Sequence, residues 1–186
     1  MPAPSPERRL QRVLHVALFD ALSLIVVAAP AAVVALCTRE WFVATVCIGV
    51  ALCGQLELVG RKRLQRRSAS GLGWMCAAQL CCLLFILLYA GHLSRQLQAD
   101  HILALLPSST RDQLAELFPD PESLNGLLLG AQQLTAALLA LVSILYQGGM
   151  AFYYLRARPA ARAVFAAPPV IESRPPPLPV RSPPLP

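Results

Sequence analysis

Charge is scarce in this sequence. Only 14% of its 186 residues are Asp, Glu, Lys or Arg, 56% are hydrophobic, and the mean hydropathy is +0.55. A soluble domain carries about 25% charged residues, so the shortage speaks against a water-soluble enzyme. Lysine and asparagine are nearly missing, with Lys62 and Asn125 the single examples. Catalytic motifs are missing too: there is no Ser-His-Asp pattern, no H-E-x-x-H helix and no glycine-rich phosphate loop. His15, His92 and His101 stand far apart along the chain, and the cysteines lack metal spacing, so neither a metal nor a cofactor is expected. Cys37, Cys47, Cys53, Cys76, Cys81 and Cys82 all fall within or at the ends of apolar runs. That placement argues against disulfide bracing and for small apolar packing residues.

What the sequence has instead is long apolar runs. A bilayer core needs roughly 20 apolar helical residues. Residues 13–37, 41–60, 71–93 and 130–155 meet that requirement, which predicts an all-α membrane protein with four transmembrane helices. The first run follows Arg8, Arg9 and Arg12, as a signal peptide would. Signal cores are about 7–15 residues, and this run is longer, so it reads as a retained span.

The bases assign the sides. Arg8, Arg9 and Arg12 precede the first span; Arg61, Lys62, Arg63, Arg66 and Arg67 join the second to the third; Arg156, Arg158, Arg162, Arg174 and Arg181 follow the fourth. The other two loops hold only Arg39, Arg95 and Arg111, so thirteen bases fall on one side and three on the other. By the positive-inside rule both termini are cytoplasmic. This asymmetry accounts for the net charge of +6 without nucleic acid, the partner of the basic loops being membrane lipid. Trp41, Phe42, Trp74, Phe152, Tyr153 and Tyr154 lie at the span edges, where interfacial aromatics are expected.

Residues 94–123 read as a helical outer hairpin. Helix three has no proline to stop it before Pro107; Ser109 and Asp112 make a capping pair; Leu114, Leu117 and Phe118 form an apolar stripe; and Asp120-Pro121-Glu122 is a new helix start. The acidic hairpin is either a partner surface or a plain connector.

Each span also carries a polar residue in its cytoplasmic half. Asp20, Gln55, Glu57, Gln79 and Gln147 fall at similar depth and define an intramembrane polar layer. Ionisable residues in a membrane mark function by default, here a proton or cation path. The competing reading is interhelical hydrogen bonding, with Asp20 or Glu57 paired to Arg12 or Arg61. Gly126 with Gly130, and Ala28 with Ala32, are small-residue pairs suited to close helix packing.

The segment 159–186 holds ten of the seventeen prolines. It reads as a disordered cytoplasmic tail of polyproline II character. Pro176, Pro177, Leu178, Pro179 and Arg181 match a PxxPxR docking pattern; the alternative is a solvated end. The expectation is a non-enzymatic accessory or scaffold protein that contacts a protein partner through the tail or the outer loop. The rival is an oligomeric channel or transporter subunit, partnered by further copies of itself, that uses the polar layer.

Overall fold

A computed structural model describes residues 5–95, 107–117 and 120–166. Of these, 93% are helical and none is in a strand. The helices are α1 (Pro6–Cys37), α2 (Trp41–Gln65), α3 (Ser70–Arg95), α4 (Ser108–Leu117) and α5 (Pro121–Ala166). Four of them, α1, α2, α3 and α5, are long and apolar enough to cross a membrane. The tail motif at Pro176, Pro177, Leu178, Pro179 and Arg181 lies outside the described residues, as does the expected continuation of helix three over 96–106.

Local chemistry explains the helix ends. The Ser5 side chain accepts from the Arg8 amide at 3.5 Å, and Pro6 opens α1 at a position where a missing N–H costs nothing. After Cys37 the chain turns through Arg39 at φ 62°, and the Glu40 amide bonds back to the Ala35 carbonyl at 2.8 Å. Residues Arg66 to Ser68 repeat this ending: Arg67 has φ 60°, and the Ser68 amide reaches the Arg63 carbonyl at 3.0 Å. Both are Schellman endings with arginine where glycine is usual. Asp120 caps α5, accepting from the Ser123 hydroxyl at 2.8 Å and the Glu122 amide at 3.2 Å, which holds its carboxyl below the ordinary aspartate value.

The helices run longer than their apolar cores. Helix α1 begins within the basic segment that precedes the first span. Helix α5 has 46 residues, roughly 69 Å at 1.5 Å per residue, against a hydrocarbon core of about 30 Å. It passes through Pro159 to Ala166, so the expected disordered tail does not begin at 159. Packing accounts for this. Ala161 is fully buried with Val13, Ala17, Leu64, Leu72, Met75 and Tyr154, and Ala157 and Phe165 pack against the same cluster. That apolar core joins the start of α1, the end of α2, the start of α3 and the end of α5, and bases concentrate on all of these but the start of α3.

Helix α1 packs on α2, α2 on α3, α3 on α5, and α5 returns to α1. The buried positions of α2 include Val46, Gly49, Cys53, Glu57, Gly60 and Leu64, a step of three or four residues that keeps one stripe facing its neighbours. Small side chains dominate the stripe on α1: Ala17, Ala21, Ala28, Ala32 and Ala35. The Ala28 and Ala32 pair is thus in the interior, as its spacing suggested.

The Gly126 and Gly130 pair is not. Both residues are exposed, and a methyl group built on either meets nothing within 4 Å. The tightest glycine contact is between Gly60 and Gly71, on opposite sides of the α2–α3 turn. A Cβ on Gly71 would lie 2.7 Å from the Leu64 amide nitrogen, and one on Gly60 would lie 2.8 Å from the Gly71 carbonyl. Backbone cannot yield there as a flexible side chain would. Gly71→Ala is therefore expected to destabilise the protein by about 1–3 kcal/mol, whereas Gly126→Ala is neutral or gains up to about 1 kcal/mol from helix propensity. Thermal unfolding in detergent checks both, and equal effects would refute the assignment of the close contact.

Candidate functional site

Asp20, Glu57, Gln79 and Gln147 come from α1, α2, α3 and α5 and are all buried, with Glu57 and Gln79 sealed completely. Each occupies the inward stripe of its helix, so four separate amphipathic patterns converge on one polar centre. Gln79 is the hub. Its amide nitrogen donates to Asp20 Oδ2 and, at 3.0 Å, to Glu57 Oε2. The two remaining carboxyl oxygens are taken by tyrosines of α5: the Tyr154 hydroxyl donates to Glu57 Oε1, and the Tyr146 hydroxyl donates to Asp20 Oδ1 at 2.7 Å. Gln147 stands beside this set, its amide 3.5 Å from the Cys82 sulfur. Two amide oxygens, Gln79 Oε1 and Gln147 Oε1, are buried without a partner.

The layer differs from the sequence expectation in three ways. Gln55 is exposed and faces away from the acids. It is two residues from Glu57, and two residues on an α-helix turn through roughly 200°. The acids do not pair with arginine either; the Arg61 guanidinium donates to the Leu14 carbonyl at 3.1 Å instead, and no ion pair forms among the described residues. Tyr154, expected at the membrane surface, points inward and is fully buried, while its neighbours Phe152 and Tyr153 are exposed. Tyr146 and Tyr154 are thus members of the site that depth along the sequence did not identify. For Tyr154 the signal was its spacing, since 147, 151 and 154 step by four and three; Tyr146, 51% exposed, follows no such step.

Chemically, the arrangement is a closed hydrogen-bonded clasp. One amide bridges two carboxyl groups, and two phenols complete their coordination. Among the described residues no group of three His, Cys, Asp or Glu side chains stands close enough to hold a metal ion. Comparisons with protein-family models, characterised proteins and solved structures found no match to this chain.

An unsatisfied buried polar group costs about 1–3 kcal/mol. Tyr154→Phe removes one hydroxyl and leaves Glu57 Oε1 without its donor, so it is expected to lower stability by that amount. Gln79→Leu strips a donor from both acids and is expected to cost at least as much. Gln55→Leu, on the outer face, should stay within about 0.5 kcal/mol of the parent. Unfolding of the three variants in detergent tests the clasp, and a Gln55→Leu effect as large as that of Gln79→Leu would dismiss it.

Proposed function

We propose that the chain is a non-enzymatic, multi-pass protein of the cell membrane, inner or plasma, and that it works as an accessory or scaffold through protein–protein contacts. In this reading α1, α2, α3 and α5 form a transmembrane four-helix bundle, and the basic end with both termini faces the cytoplasm. One observation carries it: all four carboxyl oxygens of Asp20 and Glu57 are occupied by donors from within the helices. A polar layer used up in this way holds helices together and offers no group for catalysis. The length of α5 supports the same reading. Beyond its apolar stretch it continues as a helix held to the core by Ala157, Ala161 and Phe165, which supplies a rigid cytoplasmic surface for a partner.

The second reading is an oligomeric channel or transporter subunit. It is favoured by two acids that share one interior with no counter-cation, and by the unpartnered oxygens of Gln79 and Gln147. Two buried anions without compensation are costly, and a proton or cation would relieve that cost.

Two variants separate the readings. Because Ala161 belongs to the core, the tail must be removed after Ala166, not after Arg158. In the scaffold reading, the chain ending at Ala166 loses the protein that co-purifies with the full-length chain in mild detergent, while D20N/E57Q retains it. The opposite pattern, a partner-free oligomer whose ion flux disappears in D20N/E57Q, would replace the scaffold by the channel. Orientation has its own readout. A reporter active only in the cytoplasm, fused after Pro186, is expected to be active, and a silent reporter on a stable fusion would reverse the topology.

A further inference from the structure

The basic end of the molecule carries a recess that the polar layer does not use. It lies between α1 and α5, has a volume of about 310 Å³, and is lined by Arg9, Arg12, Val13, Tyr153, Arg156 and Ala157. The lining follows from helix periodicity. Arg9 and Arg12 are three residues apart on α1, and Tyr153 and Arg156 are three apart on α5, so each pair shares one face. Val13, itself buried in the core, and Ala157 give the recess apolar wall beside its arginines. Three arginines thus line one opening. None is neutralised, since no ion pair forms among the described residues; by contrast Arg63 stacks over the Trp74 ring at 4.8 Å and Arg61 is spent on the Leu14 carbonyl.

We propose that this recess is a binding site for an anionic lipid headgroup that carries two phosphate groups. Each guanidinium is a planar fork that fits a phosphate bidentately. Three forks with no acid among them repel one another, and a doubly charged headgroup offsets that repulsion where a singly charged one does so only in part. The position suits a lipid. Phe152, exposed to 63%, and half-exposed Tyr153 adjoin the recess at the margin of the apolar surface, where interfacial aromatics meet headgroups. Basic pockets between helices at a membrane face are a recurring setting for multiply charged lipids. A soluble diphosphate offers the same charges but no acyl chains to lie along the apolar faces above the recess. The proposal rests on the reading that the basic end lies at a membrane surface.

The test uses the full-length protein in mild detergent, with bound lipid counted by native mass spectrometry during titration. The probes are diphosphatidylglycerol, singly charged phosphatidylglycerol and inorganic pyrophosphate. Diphosphatidylglycerol is expected to bind about tenfold or more tighter than phosphatidylglycerol. R9Q/R12Q/R156Q should abolish this preference, and K62Q/R66Q/R67Q, which removes the same charge elsewhere on the basic end, should preserve it. R9K/R12K/R156K keeps the charge and loses the fork; it is expected to weaken binding several-fold, and it decides the matter if the glutamine variant does not fold. Equal losses in the two glutamine variants would overturn the site, because binding would then follow total charge. Displacement of the lipid by pyrophosphate at matching concentration would overturn the lipid assignment. A protein that stays membrane-bound yet shows no preference between the two lipids refutes the recess and leaves the membrane reading intact.

Discussion

Asp20 and Glu57 both accept from the one amide of Gln79, and the packing of three helices follows from that sharing. In the proposed membrane setting no water replaces a lost partner, so each acid depends on donors within the protein. Moving α3 by one residue's step along and around its axis turns Gln79 through roughly 100° and takes its donor from both acids. The bridge therefore fixes the register of α1, α2 and α3 together, and the two tyrosine hydroxyls extend the constraint to α5. The reach of the side chains sets a second demand. An aspartate is short, so α1 has to come close to its neighbours. The alanines at 17 and 21 flank Asp20, and Gly54 on α2 has room for no more than hydrogen, since a Cβ there would lie 2.9 Å from the Ala21 carbonyl oxygen. The small residues along this interface serve the hydrogen bonds that they permit.

What could be read in the sequence was position along each helix axis. The four apolar runs, the charge asymmetry between loops, and the common depth of Asp20, Glu57, Gln79 and Gln147 all follow from counting residues at 1.5 Å each. What was harder to read was angle. Gln55 has the right depth and the wrong face; Tyr154 was grouped with Phe152 and Tyr153 as surface aromatics, though consecutive residues point about 100° apart. Angle was available in principle from the step of three and four that links Gln147, Ala151 and Tyr154. The Gly60–Gly71 contact was less accessible, because it joins two helices across a turn and leaves no local pattern like that of Gly126 and Gly130. Helix α5 past Pro159 lay beyond local rules altogether. A proline inside a helix costs about 3 kcal/mol, and the packing of Ala161 and Phe165 against the start of α1, the end of α2 and the start of α3 explains why the helix continues.

The two ends of the molecule solve different problems. At the basic end, Val13, Leu64, Leu72, Met75 and Ala161 build an apolar core of the kind found in water-soluble helical proteins, with arginines exposed around it. Hydrophobic burial holds that end together where water is present to drive it. Farther along, in the proposed membrane setting, lipid is as apolar as leucine and burial supplies little, so side-chain hydrogen bonds and close backbone contact carry the association. The clasp lies next to the junction: Tyr154 is a member of the apolar core through its ring and of the acid layer through its hydroxyl.

That junction ties the polar layer to the surface. Tyr153 lines the recess between Arg9, Arg12 and Arg156, and Tyr154, the next residue, donates to Glu57. The two side chains point about 100° apart from one rigid helix. Any rotation of α5 about its axis would therefore move both side chains together. The recess at the surface and the hydrogen bonds of the interior thus meet on a single turn of α5.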